Sequence, residues 1–396
     1  MKRAASSSLL REINRSAVLD LFRLNKAVSR TQIAKRLNMS VPTANRIVEE
    51  LIAMNMVHDI GFGKETSVGR PRSYLEFNGS SFVVIGIDLG GTKMLGGIAN
   101  LTGQVQKEIC LPSYPNRPEE NLNQLIDLIE QLLASPRPEG QEVLGIGIGT
   151  PGITLATEGV VTWAPSLGWR DFPLAKLLKE RFHIPIIIEN DVNLAALGEL
   201  NFGAGIGVKN LVCITVGTGI GSGVIIGGLL YRGANQAAGE IGYMAPGIDY
   251  LNRRYEGFGA LESLASGTGI RERACAYFQH NGNEQCVSDL NAEDVFQAAR
   301  MGEEWAKQIV DDTLNYLALA ITNIACLLNP DMIILGGGVS RSADMLIEPI
   351  LKRIEGVIPY VPRLVASPLG NRAALLGAIT LVLNDILDYS VVNPHS

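Results

Sequence analysis

Apolar positions recur at helical spacing through the first fifty residues and in alternating strand and helix blocks after that. Ile13, Ala17, Val18, Leu21 and Leu24 predict a helix over 10–24. Val28-Ser29-Arg30-Thr31 breaks the pattern. Thr31 is then the expected cap of a short helix over 32–37, with Ile33, Ala34 and Leu37 facing in. After a turn at Asn38-Met39, Ser40 is placed to cap a helix running to about Asn55. Pro42 falls in its first turn, where proline is tolerated. Ala44, Ile47, Val48, Leu51 and Ile52 form its apolar face. Two short helices joined by a tight turn predict a helix-turn-helix. Met56 to Ile60 and Ser73 to Phe77 predict the two strands of a wing.

From Phe82 onward the pattern is strand and helix in alternation: a strand over 143–149, helices over 122–133 and 173–182, a strand over 185–188, and a helix over 192–200. Such alternation predicts a parallel or mixed sheet covered by helices. The stretch Gly86-Ile-Asp-Leu-Gly-Gly-Thr-Lys93 reads as strand, tight turn, strand. Leu211 to Gly228 repeats that plan around Gly217-Thr218-Gly219, which predicts two related α/β halves. A long helix from about Glu303 to Leu328 has Trp305, Ile309, Leu314, Leu317, Ile321, Ile324 and Leu328 as its buried stripe. A strand from Met332 to Leu335 then opens into Gly336-Gly337-Gly338.

Glycine turns let backbone N–H groups approach a phosphate. Asp88, Gly90, Gly91, Thr92 and Lys93 from the first turn, Gly217, Thr218 and Gly219 from the second, and Gly336, Gly337 and Gly338 are therefore candidate nucleotide-binding residues. Two Gly-Thr turns can clamp one polyphosphate, and three glycines at a strand end leave room for a flat ring. The plainer alternative for the first turn is an ordinary hairpin.

The net charge of −6 conceals an asymmetry. Residues 1–78 carry thirteen Lys and Arg against seven Asp and Glu, so the head is +6 and the remainder −12. A basic head on an acidic body points to a polyanion partner for the head alone. Thr31, Gln32, Ser40, Thr43, Asn45 and Arg46 are candidate DNA contacts from the helix-turn-helix, with Arg70 and Arg72 from the wing. The alternative for the head is a helical oligomerisation module with a solvated basic face. The five cysteines show no CxxC pair, which argues for free thiols in a reducing compartment. No apolar run reaches the ~18 residues of a membrane span. The expectation is a cytoplasmic protein without a membrane partner.

The body resembles the ROK family (repressors, open reading frames and sugar kinases), within the hexokinase and actin-like ATPase superfamily. The resemblance rests on Asp88-Leu-Gly-Gly-Thr92, Glu189-Asn-Asp191, Gly217-Thr-Gly219, Gly239-Glu-Ile-Gly242, Leu261-Glu262 and Gly336-Gly-Gly338, in that order. The head matches the repressor branch. The resemblance implies an actin-like, duplicated α/β body behind a winged helix-turn-helix. Its domains are expected at 1–78, 82–195 (with 370–396 packing back on it) and 196–369. It also implies that Asn190, Asp191, Glu240, Tyr243 and Glu262 bind sugar, and that Asp191 is the catalytic base if the protein is a kinase. The alternative for Asp191 is a helix cap, and for Glu262 a first-turn helix charge.

Where the family has zinc ligands, this chain has Tyr243, Arg253, Tyr255 and Ala260, so no zinc is expected. Ser166 stands where the family often has asparagine. No cofactor is required, and Mg-ATP is a candidate ligand. The expected function is a transcriptional regulator that binds a double-stranded operator as a homodimer or homotetramer and senses a small carbohydrate. The alternatives are an ATP-dependent sugar kinase with a DNA-binding head, and a ligand-insensitive DNA-bound scaffold.

Overall fold

A computed structural model of the 396-residue chain describes residues 11, 14–15, 17–19, 21–22, 25, 27–62, 73–138, 140–255, 259–281 and 290–386. The described residues between 11 and 22 are helical, and Val18, Leu19 and Phe22 among them are buried. Next come β1 (Val28–Ser29), α1 (Arg30–Arg36), α2 (Val41–Ala53), β2 (Val57–Phe62) and β3 (Ser73–Phe77). Helix α1 begins earlier than the sequence pattern suggests, because Ser29 caps it and Thr31 does not. Ser29 Oγ accepts the Gln32 N–H, and Gln32 Oε1 accepts the Ser29 N–H at 2.9 Å, a reciprocal capping box. The wing also has a third strand. Val28 and Ser29 pair antiparallel with Leu75 and Tyr74, giving the order β1-β3-β2. Arg70 and Arg72 lie outside the described residues.

The body follows directly. Its first lobe contains β4 (Phe82–Leu89), β5 (Lys93–Asn100), β6 (Val105–Pro112), α3 (Pro118–Leu133), β7 (Glu142–Thr150), β8 (Ile153–Leu155), β9 (Val160–Ala164), β10 (Trp169–Phe172), α4 (Leu174–Phe182) and β11 (Ile186–Asn190). Helix α5 (Asp191–Phe202) leads to the second lobe: β12 (Leu211–Val216), β13 (Ile220–Ile226), β14 (Leu229–Leu230), α6 (Ala260–Ala265), α7 (Gly267–His280), α8 (Ala292–Arg300), α9 (Glu304–Leu328), β15 (Met332–Gly336), α10 (Ala343–Ile354) and β16 (Arg363–Ala366). Helix α11 (Ala373–Ile386) returns to the first lobe, so close to β4 that a Cβ on Gly86 would stand 2.8 Å from Ile379 Cγ1.

The repeat seen in the sequence is a repeat of topology. The first lobe's sheet has the order β11-β7-β4-β5-β6, and the second lobe's has β14-β13-β12-β15-β16. In each, three strands form an antiparallel meander and two more join parallel to its first strand. The body is thus an actin-like α/β duplication. The parallel strands are continuous apolar runs, as burial on both faces demands: Ile333, Ile334 and Leu335 of β15 are at most 1% exposed. Helix α9 buries Ile309, Leu314, Leu317, Ile321 and Ile324 in one cluster with the second sheet, together with Val310, Ala318 and Ala320.

Head and body are joined by a four-residue turn that is fixed at both ends. The Asn78 N–H donates to Met56 O at 2.8 Å, and Asn78 Nδ2 to Asn55 O at 3.0 Å. On the body side the Leu101 N–H donates to Gly79 O at 2.9 Å, and Gln141 Nε2 to Ser80 O at 2.6 Å. The apolar interior is continuous as well. Leu51, Val57 and Leu75 of the head belong to one cluster with Val84, Ala99 and Leu101 and with Leu375, Ile379 and Val382 of α11. Among the described residues, no helix is long and apolar enough to cross a membrane.

Candidate functional site

The two lobes meet where β11 runs into α5. Asn190 is the cap of that helix: its backbone is extended (φ −64°, ψ 139°), and Oδ1 accepts the N–H groups of Val192 at 2.9 Å and Asn193 at 3.0 Å. Its Nδ2 donates to Gly152 O at 2.9 Å. Asp191 is the first helical residue and not the cap. Its Oδ1 takes the Val192 N–H at 2.9 Å, and the rest of the carboxyl group faces the cleft at the helix's positive end.

A cavity of about 110 Å³ opens there. Asp88, Asp191, Gly336 and Gly337 line it, four residues drawn from both lobes. Cys213, Thr215, Ser367, Asn371 and Ala373 are also among the wall residues and were not marked by sequence motifs. Burial pushes the Asp191 carboxyl up to about 8, and the charges of Asp88 and Glu240 add to it. Asp88 is pushed up to about 6 by burial, against the pull of Lys93. Two acids held in one desolvated wall resist ionising together. A cation, or a ligand rich in hydroxyl donors, would relieve that conflict.

Glu240, Glu262 and Tyr243 extend the acidic row from the second lobe. Burial raises Glu240, and the Glu262 charge adds to the effect. Burial likewise raises Glu262, although its Oε2 accepts the Ile220 N–H at 2.8 Å. Tyr243 is raised by burial and by both glutamates, yet the residue remains 54% exposed at the rim. The row offers one amide, four carboxyls and a phenol, a set suited to a polyhydroxy molecule.

The glycine turns differ in openness. In the first, the Gly90 N–H closes on Lys93 O at 2.9 Å, Thr92 and Lys93 are exposed, and Gly91 abuts Ser166. In the second, the Gly217 N–H closes on Gly219 O at 2.9 Å and Thr218 is exposed. A Cβ on Gly219 would stand 2.7 Å from Glu262 Oε2, so this turn borders the acidic row. Nothing lies within 4 Å of where a Cβ on Gly217 or Gly338 would sit, which leaves their backbone open to a ligand. Gly337 has φ +82° and rests on the Val216 carbonyl.

The loop ahead of α6 has aromatic and cationic contacts of its own. Tyr250 and Tyr316 hydroxyls lie 3.4 Å apart, and the Arg253 guanidinium sits 5.2 Å from the centre of the Tyr250 ring. Among the described residues, no group of three or more His, Cys, Asp or Glu is arranged to hold a metal ion.

In the head, Thr31, Asn45 and Arg46 are exposed. Ser40 and Thr43 share the cap of α2, the Thr43 N–H donating to Ser40 Oγ at 3.3 Å. Gln32 is committed to the capping box. Arg30, which sequence reasoning passed over, pairs with Glu49 at 2.8 Å on the same face.

Similarity to known proteins follows the same division. Residues 84–385 match the ROK family, and residues 11–58 match a winged helix-turn-helix DNA-binding family. A putative xylose repressor from a Caldicellulosiruptor species is 30% identical, over 96% of this chain and 98% of its own length. A glucokinase from Halalkalibacterium halodurans is 35% identical, over 75% of this chain and 94% of its own. The crystal structure of a ROK family transcriptional regulator, a homologue of the E. coli MLC protein, superposes with a TM-score of 0.82 at 25% identity. It covers 96% of this chain and 98% of that one.

Proposed function

The chain belongs to the ROK family, and we propose that it is a DNA-binding transcriptional repressor of sugar-metabolism genes whose interlobe cleft senses a small carbohydrate. The observation that carries this reading is the likeness to xylose repressors over nearly the whole chain, head included. A kinase relative accounts for the body only. In this reading Asn45 and Arg46 meet base edges and phosphates, with Thr31 beside them. Asp191, Glu240 and Glu262 accept hydrogen bonds from sugar hydroxyls, Asn190 fixes the turn that presents Asp191, and Tyr243 closes the rim. Closing the lobes on ligand changes the placement of the two heads of a homodimer and lowers operator affinity, provided the ligand binds the two states unequally. The protein works in the cytoplasm.

The test is fluorescence anisotropy with DNA from the gene's own promoter region, with and without D-xylose or D-glucose. Binding no stronger than to bulk DNA would sink the reading.

The open faces of Gly217 and Gly338 and the crowded Asp88 and Asp191 carboxyls favour a second reading, phosphoryl transfer to a sugar. Those groups fit a nucleotide with its cation, and Asp88 would hold a water bound to Mg²⁺. Bound Mg-ATP would supply the phosphoryl group, and Asp191 would take the proton from the sugar hydroxyl. An ADP-release assay decides: turnover that survives Asp191→Ala removes Asp191 from that role.

A further inference from the structure

The loop that follows β14 has two attachments. Downstream it carries Glu240 into the acidic row. Upstream it crosses to the first lobe at two points. Arg232 Nε donates to Glu189 Oε2 at 2.6 Å, and Glu189 is 1% exposed. The other oxygen, Glu189 Oε1, accepts from the Asn190 N–H at 2.9 Å and from Asn193 Nδ2 at 3.0 Å. One buried carboxylate therefore ties Arg232 to the turn that presents Asn190 and Asp191. Four residues on, Gln236 Oε1 accepts the Ala156 N–H at 2.8 Å, and its Nε2 donates to Thr157 Oγ1 at 3.0 Å. The loop is braced internally, the Ala238 N–H donating to Arg232 O at 3.0 Å, and it is tied to β13 of its own lobe, the Ser222 N–H donating to Gly239 O at 2.7 Å.

We propose that residues 231–240 form a strap, and that Arg232 and Gln236 are positioning residues that set the separation of Glu240 from Asp191. The proposal deepens the sugar-sensing reading and rests on it. Neither residue needs to touch the ligand. A buried ion pair is a poor source of stability, because well-packed apolar side chains often serve as well. This pair joins two lobes and orients the helix cap on one of them, so its effect falls on register. Gln236 makes a second crossing without charge, to Ala156 and Thr157. With both contacts made, carboxyl groups from the two lobes face one space. With both broken, Glu240 keeps its tie to β13 through Gly239 and loses the strap's two ties to the first lobe, so its separation from Asp191 is no longer set from both sides.

The test uses the full chain, with D-xylose and D-glucose as probes. Arg232→Met alone strands a buried carboxylate, so the decisive variant is the double Glu189→Gln/Arg232→Met. Its amide still accepts from Asn190 and Asn193, and no charge is orphaned. The expected result is a melting temperature close to wild type with sugar affinity lowered about tenfold, the scale of one lost hydrogen bond to a charged group. Arg232→Lys recovers part of that loss. Gln236→Ala weakens affinity in the same direction and gives the answer if the double variant does not fold. Wild-type affinity in the double variant, or in Gln236→Ala should that be the variant that folds, overturns the strap. If wild type binds neither sugar, the sensing reading fails by itself. Small-angle scattering then judges the strap: a larger radius of gyration in the folded variant supports it, and an unchanged one overturns it.

Discussion

Gly198 and Gly377 let the two helices at the lobe junction cross in backbone contact. A Cβ on Gly198 would overlap the Ala373 carbonyl oxygen, and one on Gly377 would overlap that of Leu194. Each glycine of one helix thus faces the main chain of the other, α5 against α11. A methyl group there has backbone as its neighbour, which cannot turn aside as a side chain can. Gly377→Ala is expected to cost about 1–3 kcal/mol, the usual range for overpacking. Urea unfolding measures it, and an unchanged midpoint would show that the helices have room to separate.

Asp191 makes stability depend on pH. Its carboxyl is held near 8 in the fold by burial and by Asp88, well above the ordinary range near 4. An acid raised on folding costs nothing below its unfolded value. The penalty then grows as pH rises from about 4 to about 8 and is constant beyond. Asp191→Asn removes it. The variant is expected to match wild type near pH 4 and to exceed it near pH 8 by up to about 5 kcal/mol, the linkage of a carboxyl moved from near 4 to about 8. Thermal unfolding across that window checks the sign, and a gap that is largest in acid would be incompatible with the buried pair.

On the proposed DNA-binding reading, the exposed start of α2 divides its work between Asn45 and Arg46. Arg46 is 65% exposed at its side chain and 4.0 Å from Glu50, a weak and solvated pairing that leaves it available to phosphate. Arg46→Ala is expected to weaken binding to all sequences and to reduce the salt slope by about 1. Asn45→Ala is expected to relax preference at one base pair, at a cost of about 1–3 kcal/mol. Titrations of operator and scrambled DNA at several salt concentrations separate the two.

With Tyr243, Arg253, Tyr255 and Ala260 at the family's ligand positions, the loop ahead of α6 is expected to need no zinc. Prolonged EDTA treatment should leave the melting temperature unchanged. Stoichiometric zinc by elemental analysis would contradict this. Tyr316→Phe removes the hydroxyl that meets Tyr250 and is expected to cost about 1 kcal/mol.

Much of the fold was legible because its signals are local. Strand, glycine turn and strand at 86–93 and at 211–228 are short-range patterns, and the shared topology of the two sheets follows from them. Ser29 was harder to read. Its neighbour Thr31 is an equally good cap by composition, and the choice depends on pairing with Tyr74, far along the chain. The cap at β11 posed the same difficulty. Asn190 and Asp191 are adjacent and both suited, and only the extended backbone at Asn190 decides between them. Glu189 stood inside a recognised motif without a role, because its partner Arg232 is 43 residues away and belongs to no motif. The cavity wall at Asn371 and Ala373 comes from the return of the last described helix, which no spacing in the sequence announces.

The hydrogen-bonded turn from Asn78 to Ser81 has a consequence for the operator. A reader with slack between its DNA-binding and ligand-binding parts can follow a half-site that has been moved. This one has no slack, since the head shares an apolar interior with the lobe beneath it. Inserting one base pair between half-sites turns one of them by about 34° about the duplex axis. In a homodimer built from such rigid units, that twist has to be taken up by the subunit interface or by the DNA. The protein is therefore expected to reject a phase error that a loosely tethered head would accept, and promoters carrying single-base insertions would escape its control.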